Sequence, residues 1–153
     1  MLNKALFLDR DGTIIEHIPY INDPNKVKLR LEIIKKIKEF QDANYLLIII
    51  TNQAGIEKGL ITLEQYNKVT ERMLSLLKEN GIFVTDIFMC PSQSSSDFDR
   101  KPNPGMILKA ASKYSIDLRQ SVLVGDDERD IKAGKNAGVG RCFFLEEFLN
   151  SSP

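Results

Sequence analysis

The sequence predicts an α/β fold, with a mostly parallel sheet held between two layers of helices. Three observations carry that expectation. Short apolar runs alternate with segments of helical periodicity along the whole chain, and a βαβα order builds a parallel sheet covered on both faces. The first run, Ala5 to Leu8, is apolar throughout, as strands buried on both faces are. Four of the runs end in, or lead into, acids, a threonine, a lysine or glycines, and ligands of an open α/β sheet bind beyond the carboxyl ends of its strands.

Taken in order, Ala5 to Leu8 is the first strand, and it breaks off in Asp9-Arg10-Asp11-Gly12-Thr13, two carboxylates at i and i+2 before a glycine turn. Leu29, Ile33, Ile34 and Ile37 then recur at helical spacing, with lysines at 26, 28, 35, 36 and 38 on the solvated face. The second strand, Tyr45 to Thr51, runs into Asn52-Gln53-Ala54-Gly55. Thr62-Leu63-Glu64-Gln65 is a capping box, and Leu63, Tyr66, Val69, Met73 and Leu77 form the apolar stripe of a helix that Asn80-Gly81 ends. Asp86 to Cys90 is the third strand. A serine-rich loop, Ser92 to Asp99, joins it to Arg100-Lys101-Pro102. Asn103-Pro104 starts a helix, with proline at the first helical position and Met106, Ile107, Ala110 and Tyr114 facing inward. Ser121 to Gly125 is the fourth strand, followed by Asp126-Asp127. The last full helix runs from about Glu128 to Ala137 and stops at Gly138, before a fifth strand from Arg141 to Phe144. These elements make one Rossmann-like, three-layer domain over residues 1–150. No insertion is long enough for a large cap domain.

A chain of 153 residues suits one domain with a full core. Lys plus Arg and Asp plus Glu both total 21, and zero net charge gives no support for a nucleic-acid or membrane partner. No apolar run approaches the roughly 18 residues of a membrane span, and Met1 leads almost directly into the first strand. Cys90 and Cys142 form no CxxC, so a reduced, cytoplasmic setting is the expectation. For so small a capless domain a monomer is the default.

In a parallel sheet the strand ends share one edge. Asp9, Asp11, Thr51, Lys101 and Asp126 are therefore expected around one cleft. Close carboxylates repel one another, and a divalent metal is the simplest compensation. Hard oxygen ligands suit Mg²⁺.

This ordered set resembles the haloacid dehalogenase superfamily of phosphotransferases. Asp9-x-Asp11-Gly12-Thr13 matches its first motif, Thr51 the second, Lys101 the third, and Gly125-Asp126-Asp127 with Asp130 the fourth. More narrowly, Leu8 to Thr13, Thr51 to Ile56 and Arg100 to Met106 look like the D-glycero-D-manno-heptose 1,7-bisphosphate 7-phosphatase family, which shares its capless build with histidinol-phosphatases. Ala54 stands where that family usually has serine. The resemblance implies Mg-dependent hydrolysis of a sugar phosphate through an aspartyl-phosphate, in surface-polysaccharide biosynthesis. Asp9 would attack phosphorus, and Asp11 would protonate the leaving alkoxide and then deprotonate water. The metal would be held by Asp9, the Asp11 carbonyl and Asp126, with Asp127 ligating it through water or orienting Lys101. Thr51 and Lys101 would hold the phosphoryl oxygens. Substrate contacts would come from Asp9, Arg10, Asp11, from His17, Ile18, Pro19 and Tyr20, from Thr51, Asn52, Gln53 and Ala54, and from Arg100 and Lys101. Arg100 would suit a distal phosphate.

One feature departs from the family. Its structural zinc uses C-x-H and C-x-C, and the matching positions here are Cys90, Ser92, Asp97 and Asp99. One thiolate and two carboxylates make a poor zinc set, so no zinc is expected. Competing readings are a histidinol-phosphate phosphatase, a polynucleotide 3′-phosphatase and a receiver-like phospho-acceptor module. The charge balance disfavours the nucleic-acid substrate. The receiver pattern needs an acid after a middle strand, and the third strand here ends in Met89-Cys90.

Overall fold

The computed structural model describes residues 1–153. Its sheet has five strands: β1 (Lys4–Leu8), β2 (Tyr45–Asn52), β3 (Asp86–Cys90), β4 (Val122–Gly125) and β5 (Arg141–Phe144). They lie in the order β3-β2-β1-β4-β5, and every pairing is parallel. Six helices complete it: α1 (Leu31–Asp42), α2 (Ala54–Glu57), α3 (Leu63–Glu79), α4 (Gly105–Tyr114), α5 (Glu128–Ala137) and α6 (Leu145–Leu149).

The alternation of side chains along each strand splits the core in two. Leu6 and Leu8 of β1 and Leu47 and Ile49 of β2 pack with Ile33, Ile37 and Phe40 of α1, with Val69 and Met73 of α3, and with Phe148 of α6. Ala5 and Phe7, with Ile48 and Ile50, pack on the other face against Met106, Ile107 and Ala110 of α4 and Ala133 of α5. These inner residues are almost wholly excluded from water. At about 25 cal/mol per Å² of apolar surface buried, they supply the main driving force holding the strand ends rigid.

Three local expectations are corrected. Leu29 precedes α1 rather than opening it, because it bridges to Ile15 while the Arg30 N–H donates to the Ile14 carbonyl at 2.8 Å. Leu63 is exposed. As the first residue of α3 its side chain leans back beyond the helix start, not onto the sheet. Pro104 caps α4 rather than opening it, and Gly105 is the first helical residue. There the Gly105 N–H reaches the Phe98 carbonyl at 2.9 Å. A Cβ on Gly105 would lie 2.4 Å from that oxygen, so this close approach needs glycine. The short helices α2 and α6 have too few residues for a periodic signal.

Candidate active site

The strand order reverses at β1, whose neighbours are β2 and β4. The crevice beyond that point is where an open α/β sheet binds its ligand. Asp9 follows β1, Thr51 lies near the end of β2, and Asp126 follows β4. A cleft of about 380 Å³ opens there, a size that suits a small metabolite. Every substrate-recognition position expected from the sequence lines it except Thr51, which is buried beneath.

Asp9 and Lys101 form the floor. Both are buried. Lys101 Nζ donates to Asp9 Oδ1 at 2.8 Å, to Asp130 Oδ1 at 2.6 Å and to the Ile50 carbonyl at 2.9 Å, which satisfies all three ammonium protons. Burial pushes the Asp9 carboxyl up from its ordinary range, against the pull of Lys101 and with further push from Asp130 and Asp126. Burial also works against the charged form of Lys101, but Asp9 and Asp130 outweigh it and hold the ammonium firmly protonated. The Lys101 backbone is clamped as well. Asn52 Nδ2 donates to its carbonyl and Asn52 Oδ1 accepts from its N–H, both at 3.0 Å.

Asp11 stands beside Asp9 in a clamp of its own. Arg10 Nη2 lies 3.1 Å from each of its oxygens, and Gln53 Nε2 donates to Oδ2 at 2.8 Å. Gln53 Nε2 also donates to Thr51 Oγ1 at 2.8 Å. The Thr51 hydroxyl keeps its own proton for an acceptor.

The donor set for a divalent cation fits. Oxygens of Asp9, Asp126 and Asp130 lie within 4.8 Å of one another, and all are hard ligands. Asp130 is already engaged, with Oδ1 on Lys101 and Oδ2 accepting the Asp127 N–H at 3.2 Å. Asp126 is exposed to the cleft and, with the free oxygen of Asp9, is the available pair. Gly12 is what lets them meet. Its φ is +83°, and a Cβ there would fall 2.0 Å from Asp126 Oδ2.

Four assignments expected from the sequence come out differently in place, and each difference has a local cause. Asp127, expected to ligate the metal through water or to orient Lys101, caps α5: its Oδ1 accepts from the Arg129 N–H at 2.8 Å and from Arg129 Nε at 3.0 Å. Those Arg129 hydrogen bonds hold its carboxyl below the usual range. The Arg10 side chain is 2% exposed, so its guanidinium meets Asp11 and not a ligand. Asn52 and Gln53 turn their amides onto Lys101, Asp11 and Thr51. The mouth is looser. His17, Pro19 and Tyr20 are exposed, with Ile18 and Ala54 half-buried. Arg100 makes one side-chain bond, Nη1 to the Ser92 carbonyl at 3.0 Å. Sequence reasoning missed Lys58, which lines the mouth on the turn after α2 and has only Tyr20 Oη within reach, at 3.4 Å. Nothing in its sequence neighbourhood separates it from a surface lysine.

Residues 9–144 match the family model of the haloacid dehalogenase-like hydrolases. A D-glycero-alpha-D-manno-heptose-1,7-bisphosphate 7-phosphatase of Photorhabdus laumondii is 42% identical over 151 residues, covering 94% of this chain and 82% of the relative. A D-glycero-beta-D-manno-heptose-1,7-bisphosphate 7-phosphatase of Helicobacter pylori is 40% identical over 149 residues, covering 95% and 84%. The crystal structure of D,D-heptose 1,7-bisphosphate phosphatase from B. bronchiseptica, complexed with magnesium and phosphate, superposes with a TM-score of 0.83 at 28% identity, over 98% of this chain and 88% of that one.

Proposed function

The chain belongs to the haloacid dehalogenase-like hydrolases and, within them, to the heptose-1,7-bisphosphate 7-phosphatase family, and on that premise we propose that it removes the 7-phosphate of D-glycero-D-manno-heptose 1,7-bisphosphate through a phosphorylated Asp9. The observation that carries the reading is the floor itself. One buried carboxylate is held by Lys101 beside the exposed Asp126, and a second, separately clamped carboxylate stands next to it.

Asp9 presents the oxygen not bonded to Lys101 and attacks phosphorus in line. Asp11 is the acid for the leaving sugar oxygen and then the base for water. Thr51 donates its free proton to a phosphoryl oxygen, and Lys101 adds positive charge beneath it. Asp9, Asp126 and the Asp11 carbonyl would hold Mg²⁺, which when bound offsets the repulsion between a dianionic phosphate and these carboxylates. Asp127 and Asp130 serve that set from behind, as helix cap and Lys101 partner. Arg100 takes the distal phosphate with its remaining guanidinium donors.

The loop that carries zinc in the family is held here by its own bonds. Asn103 Nδ2 donates to the Ser95 and Asp97 carbonyls at 3.0 and 2.8 Å, Asp97 Oδ1 accepts the Asp99 N–H at 2.9 Å, and the Asp99 carboxylate pairs with Lys109. The Cys90 thiol is pushed up by burial, which opposes a thiolate. The protein is proposed to work without structural zinc, as a monomer in the cytoplasm. No helix is long and apolar enough to cross a membrane.

The test is phosphate release with Mg²⁺ from both anomers of the heptose bisphosphate, with histidinol phosphate in parallel. A kcat/KM above about 10⁴ M⁻¹s⁻¹ for a heptose anomer alone is the expected result. Faster turnover of histidinol phosphate would overturn the substrate, since a single phosphate leaves Arg100 without a partner.

A further inference from the structure

Arg10 is the largest side chain fully buried in the molecule, and the catalytic scheme above does not use it. Burying a guanidinium is expensive unless its donors are met, and an apolar side chain of similar volume would serve stability as well or better. Its surroundings show what it is held for. Nε lies 3.3 and 3.2 Å from the two Asp11 oxygens and Nη2 lies 3.1 Å from each. No other acid pairs with it. On the far side Nη1 donates to Thr70 Oγ1 at 3.2 Å, and the guanidinium carbon sits 5.2 Å from the centroid of the Tyr66 ring. Thr70 and Tyr66 lie on the buried face of α3, an element that contributes nothing to the cleft lining.

We propose that Arg10 is a positioning residue that ties the proton-transferring Asp11 to helix α3, fixing its carboxylate in one place at the side of the leaving oxygen. The inference rests on the reading of Asp11 as acid and base. In the first half-reaction an Asp9 oxygen bonds to phosphorus while the bond from phosphorus to the sugar oxygen breaks. That oxygen takes the proton from the Asp11 carboxylic acid, and the O–H electron pair stays on Asp11 as carboxylate. In the second half, water bonds to phosphorus as the bond from phosphorus to Asp9 breaks, and the water proton returns to Asp11. Both transfers need Asp11 at hydrogen-bond reach in one orientation. A carboxylate on two rotatable bonds does not hold that orientation alone. The guanidinium edge straddles both oxygens, with Nε and Nη2 each nearly equidistant from the two, and this contact at four points holds the carboxylate in place, while Gln53 closes the third side. Lysine, a point charge, would restore attraction to Asp11 without the second nitrogen or the reach to Thr70.

The test compares esters that need a proton on departure with one that does not. With the heptose bisphosphate, Arg10→Met is expected to lower kcat about 10- to 100-fold with KM changed less than about 3-fold, the size of a general-acid contribution lost in part. With an aryl phosphate, whose phenolate leaves without protonation, the same variant should lose less than about 3-fold in its phosphorylation step. Arg10→Lys should recover part of the sugar-phosphate rate. Thr70→Val, which leaves the guanidinium in place but frees its far end, should show the same pattern more weakly, and it decides the matter where Arg10→Met does not fold. Asp11→Asn is the control that separates the two claims. If it shows the ester-dependent loss and neither the Arg10 nor the Thr70 variant does, Arg10 is structural only and the inference is wrong. If Asp11→Asn slows the phosphorylation step of both esters equally, the acid–base reading itself fails and the inference falls with it.

Discussion

The floor and the mouth of the cleft are built on opposite terms. On the floor nearly every charge has a partner fixed by the fold: Lys101 on Asp9 and Asp130, Arg10 and Gln53 on Asp11, Asn52 on the Lys101 backbone. The mouth is exposed, and its cations Lys58 and Arg100 have one weak or partial partner each. Donors aimed in advance at developing charge cost no reorganisation in the transition state, so the floor suits chemistry common to many substrates. A mouth with unsatisfied cations leaves the choice of substrate to what arrives. The contrast explains why the motif residues identify the reaction class more firmly than the sugar. Relatives named for the alpha and for the beta anomer both match this chain closely.

Breaking the floor should have the largest effect. Asp9→Asn is expected to lower kcat by at least about 10⁴-fold while thermal unfolding stays near wild type, since the amide fits the same space. Lys101→Met should harm both properties. It leaves Asp9 and Asp130 buried without their shared cation, a loss on the order of 3–5 kcal/mol that urea unfolding would register beside the lost activity. Gly12→Ala combines a positive φ with a Cβ directed at Asp126. The backbone strain of about 1–2 kcal/mol should come with weaker Mg²⁺ binding, read by calorimetry.

The mouth should respond differently. Arg100→Ala and Lys58→Ala are each expected to raise KM for the bisphosphate by roughly 10-fold, the scale of one charge-assisted hydrogen bond, with kcat nearly unchanged. Neither should affect a heptose 7-monophosphate. A matching loss of kcat would show that the mouth takes part in chemistry and would erase the contrast.

The smallest effect lies far from both regions. Burial works to raise the Asp86 carboxyl, but hydrogen bonds from Lys113 and Tyr114 outweigh it and leave the group below its ordinary range. A lowered folded value means stability that is complete above the unfolded carboxylate range and is lost as pH falls through the folded value, below about pH 4. Asp86→Asn should therefore flatten that part of the acid-unfolding curve, followed by circular dichroism, and cost a small, pH-independent amount of stability at neutral pH, where the wild-type contribution is complete.

How much of this is legible in the sequence depends on the range of each signal. The strands and long helices are readable because their periodicity is local, and the parallel order places Asp9, Asp11, Thr51, Lys101 and Asp126 on one sheet edge. What is hidden depends on distant packing. Arg10 reads as a cleft residue in its motif, and only α3, 60 residues on in sequence, shows where its guanidinium goes. Asp127 carries an ambiguous signal, since an acid before a helix can cap it, ligate a metal through water or do both, and the Arg129 bonds show the cap. Asn52 and Gln53 read as substrate contacts from the family resemblance, whereas in the fold their amides bond the backbone of Lys101 and the carboxylate of Asp11.

The most direct test of the central claim, that the floor runs phosphoryl transfer through Asp9, is a single turnover with heptose bisphosphate carrying radiolabelled 7-phosphate, quenched in acid and mapped by peptide. The account predicts a hydroxylamine-labile label on the peptide holding Asp9, present in the wild type and missing in Asp9→Asn. Label on another residue, or Asp9→Asn turning over near the wild-type rate, would contradict it.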